Sequence, residues 1–282
     1  MTTRVVLTER QKRVGSELRK IRTAAGMSAE TAAGLLGVDR AKISNMESGQ
    51  RSISPERLRT LALNCDCSDE KYVEALVEMV TPGAKGWWEK YRGTLSQGML
   101  DIAELEAHAT RLRTTDTVHI PGLLQTADHA IAVFRAVLPS LPEHEVGLRL
   151  AHRAERQQIV QAGATEYVAI LHEAALRMQF GGRKSARTQL EHLAAISERE
   201  NITLIVIPFD HGAFPGAGQT ALYAEGPVPQ LDTVQVDRAH GPEFLSAESQ
   251  LAKYRAQLDR LEELALSPGQ SRDLIREIAH QL

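Results

Sequence analysis

Cysteine is scarce in this sequence. The only two, Cys65 and Cys67, are separated by one residue, a spacing poorly suited to a disulfide between them. No second cysteine pair completes a zinc-binding set, so we predict no metal site. Both residues are expected to be ordinary thiols in a reducing compartment. Aromatic residues make up only 4% of the chain, so its core must consist mostly of Leu, Ile, Val and Ala.

Long apolar runs and catalytic motifs are also missing. No stretch approaches the ~20 apolar residues of a membrane span, and the first residues lack the pattern of a secretory signal. We therefore expect a soluble, cytoplasmic protein without membrane contact. A nucleophile elbow, a phosphate-binding loop and a His-Glu-x-x-His motif are all absent, and the ten histidines are scattered. We predict no catalytic residue, no cofactor and no enzymatic activity.

Charge is distributed unevenly along the chain. Residues 1–64 contain 12 Lys and Arg against 6 Asp and Glu, whereas the remaining residues contain 21 and 30. The first part therefore carries a net charge of +6 and the rest −9. A basic end on an acidic body suits a protein that presents one end to a polyanion, although a plain solvated surface is the alternative.

Capping and helix-ending residues predict five helices in the first part of the chain. Ser28, Asp39 and Ser54 are suited to start helices at residues 29, 40 and 55, and Gly26 and Gly37 are suited to end them. The predicted helices span residues 10–25, 29–36, 40–48, 55–63 and 70–80. The segment 81–86, rich in Pro and Gly, predicts a linker. We therefore expect one all-α domain at 1–80 and a second domain at 87–282.

The second domain has mixed signals. Helices are predicted at 87–113, 123–138, 143–162, 185–199 and 246–266, with a last helix capped by Ser267 and Gln270. Strands are predicted at 166–171, 202–208, 219–225 and 233–237, and the β-branched run 202–208 is expected to be the central one. Helices around a small β-sheet make this domain, and the chain as a whole, α+β.

The second and third predicted helices meet the requirements of a helix-turn-helix. Ala33 is small enough for the helices to cross closely, and Gly37 supplies the turn. Apolar residues at the right spacing would lock the two helices together: Leu36, Val38, Ile43 and Met46. The outward face of the third helix carries hydrogen-bonding side chains, as a helix in the major groove of DNA requires.

The segment from Gly26 to Arg51 resembles the Xre and phage-repressor helix-turn-helix over many fixed positions. The resemblance implies that one group of residues contacts bases: Arg40, Ala41, Ser44 and Asn45. It implies phosphate contacts by Lys42, Gln50 and Arg51, and a structural pair of Arg22 with Glu47. The alternative for each is a merely exposed side chain. Ala29 departs from the family, which often has a DNA-contacting Gln at that position.

One such motif binds DNA weakly, mainly through nonspecific charge. A dimer places two recognition helices about 34 Å apart on one face of the duplex. We therefore predict a homodimer and a palindromic operator on double-stranded DNA, and so a nucleoid-associated protein.

The C-terminal part is similar to the large, poorly characterised, antitoxin-like domain of actinobacterial Xre regulators, the WhiJ-like group. The resemblance is carried by Pro121–Thr126, Arg153 with Arg156-Gln157, Glu173–Leu176, Gln189-Leu190, Ile207–Phe209 and Ala265–Ser271. It implies transcriptional regulation tuned by a small protein partner. A small-molecule effector is the alternative, and an enzyme fused to a DNA-binding module is a third. The candidate effector or partner surface comprises Trp87, Trp88, Tyr91, His119, His211 and Phe214.

Overall fold

Five helices follow one another between Glu9 and Val80, and a side chain caps the start of each. They are α1 (Glu9–Ala24), α2 (Ala29–Leu36), α3 (Arg40–Glu47), α4 (Pro55–Asn64) and α5 (Glu70–Val80). The predicted caps Ser28, Asp39 and Ser54 each accept a hydrogen bond from a backbone N–H in the first turn. Gly37 ends α2 in the left-handed conformation. The predicted five-helix arrangement is confirmed.

The structure is a computed structural model that describes residues 6–83 and 85–282. Residues 1–5 of the predicted first domain and Ala84 of the predicted linker lie outside the described residues. The chain forms two compact units. Unit 1 contains the described residues up to Arg92, with Ser96–Leu105 and Pro227–Leu231, and unit 2 contains Gly93–Leu95, Glu106–Gly226 and Asp232–Leu282. The domain bounds inferred from the sequence stay a prediction.

The core of unit 1 is built from one face of each helix and from a segment far along the chain. On α1 a stripe of Val14, Leu18 and Ile21 is buried. Val228 and Leu231 join this core from the Pro227–Leu231 segment. Polar contacts hold the same segment: Arg13 Nη2 donates to the carbonyl of Gln230 at 2.5 Å, and the Gln230 amide donates to Asp69 Oδ2 at 2.7 Å. Nothing in the local sequence of residues 227–231 signals this placement.

Unit 2 is built on a six-stranded mixed sheet. The strands are β1 (Arg111–Asp116), β2 (Glu166–His172), β3 (Ile202–Ile207), β4 (Ala221–Glu225), β5 (Thr233–Arg238) and β6 (Gly241–Leu245). Their order is β3-β2-β1-β4-β5-β6, with β1, β2 and β3 parallel and the remaining pairs antiparallel. The ends of β1–β3, the start of β4 and the end of β5 therefore lie at one edge of the sheet, which we call the carboxyl edge.

Helices surround this sheet. They are α7 (Ala127–Arg135), α8 (Glu143–Gln161), α9 (Glu173–Arg177), α10 (Arg183–Ile196), α11 (Glu248–Leu264) and α12 (Pro268–Gln281). The preceding helix, α6 (Gln97–His108), begins within unit 1. Alternate residues of the strands, such as Val168 and Ile170 of β2, pack with Leu251, Leu258 and Leu261 of α11. The predicted capping box of Ser267 with Gln270 starts α12. The α+β fold class is confirmed.

Four sequence-based expectations for residues 87–282 were wrong. Residues 87–113 are not one helix but a 3-10 turn at Trp87–Tyr91, α6, and the start of β1. The β1 strand was missed because its buried positions are polar: Arg113 bonds to Asp259 and Glu262, and Thr114 bonds to Tyr167. Such satisfied polar side chains do not produce the apolar alternation by which strands are recognised.

The second error concerns β3, which is an outermost strand of the sheet rather than a central strand. It is nevertheless buried, because the turn between α11 and α12 covers it. The Val206 N–H donates to Ser271 Oγ at 3.0 Å, and the Val206 carbonyl accepts from Leu266 N at 2.9 Å. The third difference is the short outer strand β6, which contains Pro242 and for which no strand was predicted.

The helix expected at 123–138 is also shorter than predicted. Gly122–Leu124 form a 3-10 turn, and α7 begins only at Ala127, after the cap Thr126.

In the part of the chain that the structure describes, no helix combines the length and the apolar composition needed to cross a bilayer.

Candidate nucleic-acid interface

Helix α3 has one buried and one exposed face. Ile43 and Met46 are buried against the core of unit 1. The four side chains predicted to contact bases, Arg40, Ala41, Ser44 and Asn45, are all exposed. Asp39 Oδ1 accepts a hydrogen bond from Lys42 N at 2.8 Å and so fixes the start of the helix. The geometry leaves a polar helical surface available to a groove of DNA.

The predicted phosphate contacts flank this surface. The backbone N–H of Arg51 donates to the carbonyl of Asn45 at 3.0 Å, so the loop after α3 folds back onto the helix. Gln50 and Arg51 are exposed on this loop. Lys42 Nζ lies 2.9 Å from Asp39 Oδ2, so its positive charge is partly compensated in the free protein. Arg51 is therefore the better placed of the two cations to meet a phosphate.

Arg22 joins the ends of three segments. Its Nε and Nη2 donate to the two carboxylate oxygens of Glu47 at 2.5 and 3.0 Å, and its Nη1 donates to the Met27 carbonyl at 2.6 Å. The side chains of Arg22 and Glu47 are each only 11% exposed. The hydrogen bond to Glu47 raises the pKa of Arg22 above its ordinary value. This pair connects α1, the start of the helix-turn-helix and the end of α3.

Gly15 allows α1 to approach the end of α3. A Cβ atom at Gly15 would lie 2.6 Å from the Glu47 carbonyl oxygen and 2.7 Å from the Gly49 nitrogen. A Cβ at Gly49 would in turn lie 2.8 Å from the Gln11 carbonyl oxygen, and Gly49 has a φ of +76°. Since real Cβ atoms do not come this close to backbone atoms, the orientation of α3 on α1 depends on glycine. Gly15 was not among the residues predicted to matter, although a glycine inside a predicted helix is a signal of close packing.

The candidate effector or partner residues are divided between the two units. Trp87, Trp88 and Tyr91 lie in unit 1, where Trp88 and Tyr91 are buried and Trp87 packs edge-on against both. The other three candidates, His119, His211 and Phe214, lie in unit 2. They follow the strands at the carboxyl edge.

Two aromatic groups occupy that edge. Phe180 lies between His119 and His129, with ring centroids 4.9 and 5.2 Å apart. His172, at the end of β2, contacts Phe209 and stacks on Phe214 at 5.1 Å. His211 ends the 3-10 turn that begins at Phe209. His129 and Phe180 were missed because they are distant in sequence from the candidate loops.

The segment Pro121–Thr126 is held in place by side chains from two helices. Gln157 of α8 donates to the carbonyls of Gly122 and Gln125 at 3.0 and 2.8 Å. Gln189 of α10 donates to the Leu124 carbonyl and accepts from Thr126 N. The guanidinium of Arg153 packs on Gly122 and donates to Gln125 Oε1. Three of the segments that carry the family resemblance, those containing Gly122, Arg153 with Gln157, and Gln189, are therefore in contact with one another.

Two buried histidines predict that the stability of unit 2 depends on pH. Burial lowers the pKa of both His129 and His152 to about 4, and neighbouring positive charges add to the effect. Their imidazoles are neutral in the folded state, whereas those of the unfolded chain take up a proton below about pH 6.5. The contribution of these neutral imidazoles to the free energy of unfolding is fully present above about pH 6.5 and is lost as the pH falls towards 4.

We expect the free energy of unfolding to be about 1–2 kcal/mol lower for each of these histidines at pH 5 than at pH 7.5. Denaturant unfolding at the two pH values measures the loss. His129→Phe should reduce this difference, and replacement of the exposed His280 by Asn should leave it unchanged. An equal difference in the wild type and in His129→Phe would contradict the assignment.

The tight turn between α2 and α3 and the exposed polar face of α3 define a helix-turn-helix. A family model described as a helix-turn-helix domain matches residues 13–74. The protein is thus a DNA-binding regulator of the helix-turn-helix class. A second family model, described as a domain of unknown function (DUF5753), matches residues 99–277, and because it covers more than half of the chain, the chain belongs to this family. No curated protein and no solved structure matches the chain.

Proposed function

We propose that the chain is a sequence-specific transcription regulator of the Xre type, from the WhiJ-like group of actinobacterial regulators. It acts as a homodimer on a palindromic operator in double-stranded DNA, at the nucleoid, and it binds rather than catalyses. The observation that carries this proposal is the exposed polar face of α3, opposite its buried Ile43 and Met46.

The roles of the side chains follow from their chemistry. The Arg40 guanidinium matches the two acceptors of guanine, and the Asn45 amide matches the donor and acceptor of adenine. Ser44 and Ala41 lie within the same exposed face and contact neighbouring base edges. Lys42, Gln50 and Arg51 position the helix through phosphates and carry no sequence information themselves.

The double variant Arg40→Ala with Asn45→Ala tests base reading. Each good bidentate contact contributes about 1–3 kcal/mol of discrimination between bases. We expect the variant to lose preference for the operator while retaining weak, salt-dependent binding to any duplex. The operator is first selected from random duplexes with the wild-type protein, and affinities for it and for a scrambled duplex are then measured by fluorescence anisotropy.

Arg59→Ala is a suitable control for the loss of charge. Arg59 is an exposed arginine of α4 and pairs with Glu74 of α5. It therefore does not lie on the proposed reading helix α3. This variant should keep the wild-type ratio of operator to scrambled affinity. An unchanged ratio in the double variant would refute the assignment of α3 as the reading helix.

The C-terminal domain is proposed to regulate DNA binding. In the first form of this proposal, a small protein partner binds that domain. The support is the resemblance to antitoxin-like regulators and the net negative charge of the chain after residue 64. Purification of the native protein with identification of co-eluting proteins tests this form. A small protein present in equal amount with the regulator is expected, and its absence from preparations that still bind the operator would contradict it.

A small-molecule effector is the second form, and a specific observation favours it. At the carboxyl edge of unit 2, both ring nitrogens of His129 and Nε of Arg153 are buried without a hydrogen-bond partner among the described residues. Native proteins rarely leave such groups unsatisfied unless something else satisfies them.

A further inference from the structure

We propose that the segment Pro227–Leu231 is the regulatory link through which unit 2 sets the DNA affinity of unit 1. The proposal rests on the proposed function and adds the device by which the regulation acts. The segment lies in the hairpin loop between β4 and β5, and both of these strands belong to unit 2. Its five residues nevertheless belong to unit 1. The chain itself therefore joins the two units here, and we call this segment the link.

Two apolar side chains seat the link in unit 1. Val228 and Leu231 are 8% and 7% exposed and belong to the core that the first five helices form. The Leu231 N–H donates to the Val228 carbonyl at 2.9 Å, and this 3-10 turn brings the two side chains to one side. Loops between strands usually lie on the surface, so this seating is unusual. Because burial of apolar surface is favourable, it stabilises the seated link.

Gln230 joins the link to a buried polar network of unit 1. Its carbonyl accepts from Arg13 Nη2 at 2.5 Å, and its amide donates to Asp69 Oδ2 at 2.7 Å. Arg13 also pairs with Glu17 at 3.1 Å, and Glu17 accepts from the Tyr72 hydroxyl at 2.5 Å. The side chains of Arg13 and Glu17 are only 8% and 2% exposed. Displacement of the link therefore removes an acceptor from a buried guanidinium, which is costly.

Helix α1 carries this effect to the DNA-binding helix. Gly15, two residues after Arg13, is where α1 approaches the end of α3, and a Cβ atom there would lie 2.6 Å from the Glu47 carbonyl oxygen. Residues two apart in a helix point in different directions, so Arg13 and Gly15 face different neighbours. Since the approach at Gly15 leaves no free space, a shift of α1 shifts the end of α3. The seated link thus holds α3 in the orientation that binds DNA.

The base of the link is fixed within unit 2 by Asp232, which is 5% exposed. Its Oδ1 accepts from the Gly226 N–H at 3.0 Å, and its Oδ2 accepts from the Tyr223 hydroxyl at 2.7 Å. Gly226 precedes the link and Asp232 follows it, so this carboxylate holds the two ends together. Arg255 of α11 donates to the Tyr223 hydroxyl at 2.9 Å and lies 3.3 Å from Asp232 Oδ2. A displacement of α11 on the sheet therefore changes the base of the link.

Regulation follows from two states of the link. In the seated state, Val228 and Leu231 complete the core of unit 1 and Gln230 holds α1. In the released state these contacts are lost, and the affinity for the operator falls. A molecule that binds unit 2 more tightly in one of the two states shifts the protein towards that state. Because such coupling is reciprocal, binding of the operator must in turn stabilise the seated link.

Asp232→Asn tests the link in the full-length chain, with the operator that the wild-type protein selects from random duplexes. The amide keeps the shape of the side chain but loses the charge that Arg255 and the Gly226 N–H stabilise. We expect the operator affinity, measured by fluorescence anisotropy, to fall by about fivefold or more, the usual range for coupled sites.

Glu173→Gln is the matched control. The side chains of Glu173 and Asp232 are 9% and 7% exposed, so each variant removes a similarly buried carboxylate of unit 2. Glu173 follows β2 at the carboxyl edge, whereas Asp232 precedes β5 at the opposite edge of the sheet. The control should therefore leave the operator affinity unchanged.

A second variant, Gln230→Ala, weakens the seating from the side of unit 1 because it removes the hydrogen bond to Asp69. Its effect on operator affinity should be less than additive with that of Asp232→Asn, since a link that is already released has no further contact to lose. If both variants lower the free energy of unfolding but keep the wild-type affinity for the operator, the link is only structural and the proposal is overturned.

Hydrogen–deuterium exchange of the wild-type chain provides a readout that needs no variant. Operator binding should slow exchange at the backbone amides of Leu231 and Gly226, which donate within the link and at its base. The amide of Ser271, which donates to Ser267 in unit 2, should exchange at the same rate with and without the operator. Equal exchange at Leu231 in the free protein and in the complex would contradict the link.

The same experiments separate the link from the function on which it rests. A wild-type chain that selects no operator would refute the proposed function, and the link with it. Operator binding that is present in the wild type and undiminished in both variants would refute only the link.

Discussion

Replacement of Gly15 by alanine is expected to lower the free energy of unfolding of unit 1 by about 3 kcal/mol and to weaken operator binding. A single added methyl group would meet backbone atoms of Met46, Glu47 and Gly49 at 2.6–2.7 Å. These atoms belong to the end of α3 and the turn after it, so they cannot move aside as a side chain would. Either α1 separates from α3 or α3 turns away from its DNA-binding orientation.

The sign of this effect makes it a sharp test. Alanine stabilises the interior of a helix relative to glycine by up to about 1 kcal/mol, so helix propensity alone predicts that Gly15→Ala is stabilising. Gly34 in α2 is the matched control, because a Cβ there meets no described atom within 4 Å. Denaturant unfolding should show Gly34→Ala to be neutral or stabilising and Gly15→Ala to be destabilising. Equal effects at the two positions would show that the close approach has no energetic importance.

Loss of the Arg22–Glu47 pair is the second large effect that we expect. In Glu47→Gln the Arg22 guanidinium stays within a nearly buried site, 11% exposed, without its counter-ion. Breaking a buried pair from one side costs about 3–5 kcal/mol. We expect a loss of about 3 kcal/mol in the free energy of unfolding, together with reduced operator affinity, because the pair fixes the end of α3 that precedes Gln50 and Arg51.

An exposed pair in the same unit serves as the comparison. Arg59 and Glu74 are also joined by two hydrogen bonds, at 3.0 and 2.8 Å, but they are 49% and 58% exposed. Pairs in such surroundings are screened by solvent and contribute little to stability. Glu74→Gln should therefore change the free energy of unfolding only slightly. If both substitutions had the same small effect, the Arg22–Glu47 pair would not be a determinant of helix orientation.

The elements that were predicted correctly are those whose sequence signals are local. The caps Ser28, Asp39 and Ser54, the turn at Gly37 and the alternation of buried and exposed residues in α3 all follow from neighbouring residues. The capping box of α12 is equally local. These elements depend on backbone hydrogen bonds and helical periodicity, which a single sequence records directly.

The features that sequence reasoning missed depend on residues far apart in the chain. The β1 strand is stabilised by carboxylates of α11, and the core of unit 1 takes Val228 and Leu231 from the other end of the sequence. The aromatic group at the carboxyl edge combines Phe180 with His119 and His129, which come from separate segments of the chain. No local pattern marks such a group, because each member is ordinary in its own segment.

The covering of β3 has a consequence for association between molecules. An uncovered outer strand presents free N–H and C=O groups that can recruit a strand from another chain and so start aggregation. At Val206 the groups that point away from β2 are already bonded to Leu266 and Ser271. At the other outermost strand, β6, Pro242 lacks an N–H, and Glu243 carries a charge that pairs with Arg238 of β5. Both margins of the sheet thus oppose strand recruitment, so a partner is expected to join this protein through side chains rather than by extending its sheet.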